Sequence, residues 1–171
     1  MVRSDDEYGT RNPNAPPELS RFAFLIGDFR CEGRLKRDDG SWERLEASWM
    51  GRYALDGYAI MDEFRMTEPT GELLVLGLNV RTYDAMKREW NLRWLNALDG
   101  SWMDLAPKEF GGVKLDDRSV SYVFPEPMAG HALTRATYVS VSPTRFTWRG
   151  EKSSDGKAWE EFLVIEAHRI D

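Results

Sequence analysis

The chain has 171 residues, of which 42% are hydrophobic and 30% charged, and its formal net charge is -6. A chain of this length is most simply one domain, and the acidic balance argues against a nucleic-acid backbone or an anionic membrane surface as the main partner. No apolar run approaches the roughly 20 residues that a membrane helix needs. The single cysteine, Cys31, excludes an intramolecular disulfide, and the first residues lack the apolar core of a signal peptide, so we expect a cytoplasmic protein.

The N-terminal part of the chain divides into two short segments. Residues 1–16 are polar, contain prolines and show no apolar periodicity, which predicts a flexible lead-in to a single domain over 17–171. Within 17–29 the apolar residues recur at helical spacing, but the run is too short for an independent helix. We expect a short helix or 3₁₀ turn that packs against a larger body.

From Phe29 onward the pattern changes to short alternating runs separated by turn signals. The candidate strands are 29–37, 42–50, 52–66, 72–83, 88–97, 101–106, 112–116, 119–124, 132–141, 144–152 and 158–169. Asp-Gly, which suits a type I′ hairpin turn with positive φ at both central residues, occurs at Asp39-Gly40, Asp56-Gly57, Asp99-Gly100 and Asp155-Gly156. This pattern predicts an all-β fold, an antiparallel up-and-down β-barrel of about ten strands with a short N-terminal helical turn.

Aromatic side chains are frequent and lie along the whole chain. They make up 12% of the residues and include seven tryptophans. Large rings suit both a packed core and the wall of an apolar ligand pocket, so the two interpretations stay open. If there is a pocket, the expected ligand-binding residues are Trp94, Trp102, Trp148, Arg81, Tyr53, Glu63 and Phe124.

Arginines stand in the middle of several predicted strands. Either they lie on the outer face and are solvated, or some of Arg81, Arg93 and Arg135 point inward. An inward guanidinium would need an acid or an anionic ligand group, since an unpaired buried charge is costly. Glu63 and Glu161 are the candidate internal partners. We expect Arg93 and Arg135 to be ligand anchors ahead of Arg81.

Motifs of the well-known enzyme classes are missing from the sequence. It contains no nucleophile elbow, zinc-protease motif, phosphate-binding loop or paired-cysteine motif. His131 and His168 do not have metal-ligand spacing, so no metal is expected. Any catalysis would be general acid/base chemistry in a water-poor cavity. The candidate catalytic residues are Arg93, Arg135, Tyr138, Glu161 and Tyr122.

Three short motifs resemble known proteins. The run FLIGDFRCEG (24–33) resembles the opening of calycin-type barrels, in which a Gly-x-Trp leads into the first strand, with Phe29 here in place of the tryptophan. The runs YALDG (53–57) and RTYD (81–84) resemble bacterial calycin-like domains with no assigned function. The opening is also similar to nitrobindin-like haem barrels, which use a histidine near the C-terminus as iron ligand, and His168 lies near the matching place.

The resemblance implies a lipocalin-like barrel with an apolar interior, in a superfamily that includes lipid carriers, haem proteins and a few lyases, cyclases and hydratases. We therefore expect a protein without a cofactor that binds a small, largely apolar aromatic or acyl molecule, with Arg or Tyr addressing an acidic or carbonyl group. One alternative is a cofactor-independent lyase, isomerase or cyclase. A second is a haem-binding barrel that uses His168. We also expect a homodimer, because aromatic rings in excess of what the interior holds would pack against a partner.

Overall fold

The computed structural model describes residues 7–126, 130 and 132–170. The strands are β1 (Gly27–Lys36), β2 (Trp42–Ala54), β3 (Ala59–Thr67), β4 (Leu73–Asp84), β5 (Glu89–Asn96), β6 (Trp102–Asp104), β7 (Lys114–Leu115), β8 (Val120–Pro125), β9 (Leu133–Ser142), β10 (Arg145–Ser153) and β11 (Glu160–Arg169). A 3₁₀ helix at Pro17–Leu25 precedes β1, and another at Lys108–Phe110 lies between β6 and β7.

All strand pairs are antiparallel and form one curled sheet. The strand order is β6-β5-β4-β3-β2-β1-β11-β10-β9-β8-β7, so nearly every strand pairs with its neighbour in sequence, and β1 pairs with β11 to join the two ends of the chain. This is the predicted all-β, up-and-down architecture with its N-terminal helical turn. Within the described ranges β6 and β7 are the two free edges, and residues 105–113 connect them.

The predicted strands 101–106 and 112–116 are shorter in the structure, and the largest correction is at 52–66. Sequence alternation placed a single strand over 52–66, but β2 continues to Ala54 and the chain turns at 55–58 before β3 begins. All four Asp-Gly pairs lie in turns between paired strands. Only Asp56-Gly57 has positive φ at both residues; in the other three pairs the glycine alone has it, so the predicted type I′ conformation is wrong there.

The helix Pro17–Leu25 lies across the interior at one end of the curled sheet. Leu19, Phe22 and Leu25 are fully buried. Gly51 of β2 is necessary for this packing, since a Cβ there would stand 1.9 Å from the Leu25 carbonyl oxygen. The apolar spacing that predicted a short helix therefore reflects one face that is covered by the barrel.

Part of the expected flexible lead-in also contacts the barrel. Residues 1–6 lie outside the described ranges, as does His131. In 7–16, the Tyr8 carbonyl accepts a hydrogen bond from the Tyr53 amide (2.8 Å), and the Asn12 amide donates to the Gly57 carbonyl (3.1 Å). This segment is thereby held against the turn between β2 and β3. Within the described residues, no helix is long and apolar enough to cross a membrane.

Candidate functional site

The carboxylate of Asp62 on β3 is a fully buried polar group of the interior. It accepts hydrogen bonds from the Trp49 indole (2.8 Å), the Asn79 amide nitrogen (2.7 Å), and Nε and Nη2 of Arg81 (2.7 and 3.2 Å). The side chains of Asp62 and Arg81 are both fully inaccessible to solvent. Because all the donors converge on one carboxylate, its charge is both paired and fully hydrogen-bonded, which a buried charge requires.

Strand register explains why these side chains meet. Asp62 lies opposite Gly51 of β2 and Asn79 of β4, and Arg81 is two residues further along the inward face of β4. Trp49 is two residues from Gly51 on the inward face of β2. Since alternate residues share a face, three adjacent strands direct their polar groups to one point inside the sheet.

Arg81 links this cluster to the opposite wall. Its Nη2 donates to the Tyr138 hydroxyl on β9 (3.0 Å), and its guanidinium carbon lies 4.7 Å from the centre of the Phe22 ring on the N-terminal helix. Burial lowers the pKa of Arg81, but the Asp62 carboxylate and the nearby phenols more than offset this, so the pKa lies well above the usual value. The buried Nη1 makes no hydrogen bond to the described residues.

Two tyrosines extend this hydrogen-bond network from Arg81 toward an internal cavity. The hydroxyls of Tyr138 and Tyr122, on β9 and β8, lie 3.4 Å apart. Burial raises the pKa of Tyr138 well above its usual value, even though the Arg81 charge acts in the opposite direction. Tyr138 therefore stays protonated at neutral pH. With Arg81 donating to its oxygen, its own proton is directed to Tyr122 or to a bound molecule.

A cavity of about 320 Å³ lies beside this network. Its wall is mostly apolar and aromatic. It is lined by Leu35, Trp49, Phe64, Met66, Leu74, Val75, Asn79, Trp94, Met103, Leu105, Tyr122, Phe124, Glu126, Thr134, Ala136, Tyr138, Trp148, Phe162, Leu163 and Ile165. Asn79, Tyr122 and Tyr138 give it one polar end. Glu126, which follows β8, and Thr134 of β9 lie elsewhere in the wall, where the threonine hydroxyl donates to the carboxylate (2.6 Å).

Glycines leave room for two of the tryptophan rings in the wall. A Cβ on Gly77 would stand 2.2 Å from the Trp94 ring, and one on Gly150 would stand 2.7 Å from the Trp148 ring. The rings therefore lie against bare backbone, a packing in which an aromatic side chain covers a strand glycine.

The predicted site residues fall into three groups. Trp94, Trp148, Phe124, Tyr122 and Tyr138 line the cavity. Arg81 is inside, behind Tyr138 and next to Asp62, rather than in the wall itself. The remaining predicted residues do not line the cavity. They are Arg93, Arg135, Glu161, Glu63, Trp102 and Tyr53.

Strand parity explains most of the outward positions. On β5 the inward set is Trp90, Leu92 and Trp94, so the expected inward orientation of Arg93 is wrong and its side chain is exposed. On β9 the inward set is Thr134, Ala136 and Tyr138, so Arg135 faces outward.

Glu161 and Glu63 are not the internal acids that the sequence suggested. Glu63 is exposed on the outer face of β3, one residue from Asp62. The pairing of β10 with β11 changes register between Gly150 and Glu151, so Phe162 of β11 is an extra residue without a partner on β10. As a result Glu161 faces outward and forms an ion pair with Arg149. Trp102 is 57% exposed on the edge strand β6. Tyr53 packs against the core, and burial raises its pKa.

Sequence reasoning missed Trp49, Asp62 and Asn79. A signal for Asp62 was present, since Ile60, Asp62, Phe64 and Met66 alternate on one face of β3 and an acid in such an apolar series needs an internal cation. Nothing comparable marks Trp49 or Asn79, whose roles depend on which strands are neighbours.

The residues that the structure describes do not fit a haem held by His168. This histidine is exposed on the outward face of β11, opposite Arg30 of β1 and Arg145 of β10. The inward face of β11 is the one that lines the cavity, for example through Ile165. Within the described ranges there is also no group of three or more His, Cys, Asp or Glu side chains arranged to hold a metal ion.

Comparison with known proteins supports the fold. No protein-family model and no curated protein sequence matches the chain. The crystal structure of Rv2717c from M. tuberculosis is similar over 92% of this chain and 100% of that chain, with a TM-score of 0.63 and 9% identity. An S-type phycobiliprotein lyase from Guillardia theta is 10% identical over 89% of this chain and 92% of that chain, with a TM-score of 0.49. A redesigned β-barrel bound to DFHBI is 15% identical over 86% and 96%, with a TM-score of 0.44. The chain has the calycin-like barrel fold that its motifs predicted.

Proposed function

We propose that this protein binds a small, neutral, largely apolar molecule in the cavity, with one hydrogen-bond acceptor such as a carbonyl oxygen directed to Tyr122 and Tyr138. The observation that carries the proposal is an aromatic cavity that ends at two hydroxyls, one of which is held by the buried Arg81–Asp62 pair. Ligand sites are typically apolar clefts with a few well-placed polar groups.

The charge balance of the interior favours a neutral ligand. The Arg81 charge is already compensated by Asp62, and the described cavity wall contains no Arg or Lys and one carboxylate, Glu126. A carboxylate ligand would lose its hydration without gaining a cation as partner, which costs several kcal/mol even after relaxation. A ketone, amide or phenol avoids that cost and still accepts from the tyrosines.

The size and the lining of the cavity favour a compact aromatic molecule. Its volume of about 320 Å³ lies at the lower end of the range for ligand sites, which runs from about 300 to about 1,000 Å³. Trp94 and Trp148 supply flat ring surfaces against which another ring can stack.

The donor network favours binding over catalysis. Asp62 is saturated by donors, and Tyr138 is held in its protonated form, so neither is suited to remove a proton. The second candidate, a cofactor-independent lyase or isomerase, is favoured by one observation. The paired hydroxyls of Tyr122 and Tyr138 could stabilise a developing oxyanion, while Glu126 in the same cavity could serve as base.

Two probes of equal size test the ligand class. 2-Acetylnaphthalene is a neutral ketone, and 2-naphthoate is an anion with the same ring system. Quenching of tryptophan fluorescence should saturate with the ketone, and the Kd of the naphthoate should be at least about tenfold higher, equivalent to about 1.4 kcal/mol. Tighter binding of naphthoate, or no saturation with either probe, would contradict the proposal.

A matched pair of variants locates the site. Ala136 lines the cavity, and its neighbour Thr137 faces outward on the same strand. Ala136→Leu should abolish saturable quenching, because the added side chain fills the cavity, while Thr137→Leu should bind as the parent does. Equal loss in both variants would indicate a general effect on folding, and binding unchanged by Ala136→Leu would place the ligand elsewhere.

The catalytic alternative has its own measurement with the same ketone. Proton abstraction and enolate stabilisation would exchange the methyl hydrogens of 2-acetylnaphthalene for deuterium in heavy water. Exchange above the rate of the Tyr122→Phe and Glu126→Gln variants would support an enzyme. Saturable binding without such exchange is the result we expect.

A further inference from the structure

One part of the outer surface of the barrel carries a cluster of apolar side chains. We call it the outer patch, and it is formed by Met50, Met61, Leu76, Leu78, Val80, Leu95 and Trp102 on β2 to β6. None of these side chains packs against the core cluster. Their strands direct the opposite parity inward, as Asn79 of β4 and Trp94 of β5 show.

Register makes the outer patch continuous across five strands. Met50, Glu63, Leu78, Leu95 and Trp102 are successive Cα partners from β2 to β6. The two ends of this row, Met50 and Trp102, are 47% and 57% exposed. Side chains in such a row lie on one face of the sheet and touch their cross-strand neighbours.

The charged residues that lie among the side chains of the outer patch lack partners, unlike most of those elsewhere on the outer face. Arg52, Glu63, Arg65 and Arg93 form no ion pair or side-chain hydrogen bond with the described residues. Outward charges on the other strands are largely paired across the sheet. Those pairs are Arg34–Glu166, Lys36–Glu160, Arg44–Glu32, Arg135–Glu151 and Arg149–Glu161.

We infer that the outer patch is the interface of a homodimer. An apolar centre with unpaired charges of both signs is self-complementary. A two-fold axis through it can place Glu63 of each copy against Arg65 or Arg93 of the other while the leucines pack together. A partner of a single charge sign would leave either the acid or the arginines facing a like charge, which is why a second copy fits best.

The dimensions agree with such an interface. Five strands about 4.8 Å apart, and five residues along β4, give an apolar centre of about 300 Å². A standard interface buries about 800 Å² on each partner, so polar surface around this centre supplies the remainder.

Sedimentation velocity over about 1 to 100 µM protein, the range in which micromolar association is visible, tests the inference. The parent should sediment as a dimer at the upper end. Leu78→Arg should shift it to monomer, while Val123→Arg, an outward half-buried position on β8 outside the outer patch, should leave the dimer intact. Circular dichroism melting curves like that of the parent establish that both variants fold. A monomeric parent at 100 µM, or a dimer that survives Leu78→Arg, overturns the inference.

Charge reversal gives a second, independent test. Glu63→Arg makes these four unpaired side chains all positive, and Arg52→Glu, Arg65→Glu and Arg93→Glu together make them all negative. Each protein alone should dimerise at least about tenfold more weakly than the parent, which corresponds to about 1.4 kcal/mol, and the 1:1 mixture should form a heterodimer at parental strength. No gain on mixing would overturn the arrangement.

Discussion

The inner pair Arg81–Asp62 and the outer pair Arg135–Glu151 have nearly the same chemistry in opposite environments. In each, an arginine donates to both oxygens of a carboxylate, at 2.7 and 3.2 Å inside and at 2.7 and 2.8 Å outside. Each guanidinium also lies over an aromatic ring, Phe22 at 4.7 Å or Trp159 at 4.4 Å. The inner side chains are 0% exposed and the outer ones 34% and 25% exposed.

The comparison shows that burial, rather than contact geometry, decides what such a pair does. The outer pair can exchange its partner for water at little cost, so its contribution is small. The inner pair is out of contact with water, so loss of either member would leave the other charge buried without a partner. Together the two side chains fix the positions of Trp49, Asn79 and Tyr138 through hydrogen bonds. The inner pair therefore forms a rigid polar support behind the cavity wall.

Asp62→Ala should have the largest effect on stability. It leaves the Arg81 charge buried without compensation and removes the acceptor of Trp49 and Asn79. We expect a loss of about 3–5 kcal/mol in the free energy of unfolding, measured by urea denaturation. The matched outer change, Glu151→Ala, should cost less than about 1 kcal/mol. Similar losses in both variants would contradict the comparison.

Removing both inner charges should restore much of the lost stability. Asp62→Leu combined with Arg81→Met leaves no unpaired charge in the interior, and apolar replacements of buried pairs are often neutral. We expect the double variant to recover more than half of the loss seen in Asp62→Leu alone. A double-mutant cycle for Arg135→Met and Glu151→Leu should give coupling below about 1 kcal/mol. Additive losses in the inner cycle would show that the pair is not coupled.

Alkaline pH should weaken the interior. Burial raises the pKa of Tyr138 above its usual value and that of the Cys31 thiol from 9.0 to about 12. The folded state thus favours the protonated groups, so their contribution is complete below the pKa values of the unfolded chain and is lost as pH rises through the folded ones. The urea midpoint should fall from about pH 9 upward, and Cys31→Ala should make that fall shallower. A midpoint that is constant to pH 11 would contradict the assignment.

Tyr138→Phe separates the roles of the inner pair and the phenol. It removes the hydroxyl that accepts from Arg81 but leaves both bonds from Arg81 to Asp62. We expect a loss of about 1 kcal/mol in stability, together with a Kd for 2-acetylnaphthalene that rises about five- to tenfold. Tyr58→Phe, at an exposed position, is the control and should change neither quantity. Unchanged ketone binding in Tyr138→Phe would show that this hydroxyl does not contribute to ligand binding.

Arg135→Met should have the smallest effect. The pair that it breaks is partly exposed and screened by salt, so we expect a change in stability within about 1 kcal/mol that shrinks further at high ionic strength. Ketone affinity should equal that of the parent, because Arg135 faces away from the cavity. A loss of binding in this variant would mean that the outward face of β9 contributes to the site.

The sequence by itself determined the strand pattern, the hairpin turns and the N-terminal helical turn. These features depend on neighbours a few residues apart, as in the Asp-Gly turns and in the apolar spacing of the helix Pro17–Leu25. The phenols Tyr122 and Tyr138 and the tryptophans Trp94 and Trp148 could also be proposed as pocket residues, since rings on strands tend to face a core or a cavity.

Only the tertiary structure decided which face of each strand is inside. Alternation sorts a strand into two faces but does not orient them, and β4 carries apolar residues on both, with Leu76 and Leu78 outward and Val75 lining the cavity. The choice depends on the sum of contacts with neighbouring strands, with the helix across the interior and with the Asp62 carboxylate. As a result Arg81 lies inside, where it pairs with Asp62, two strand positions away on β3. Arg93 lies outside, where no described acid pairs with it.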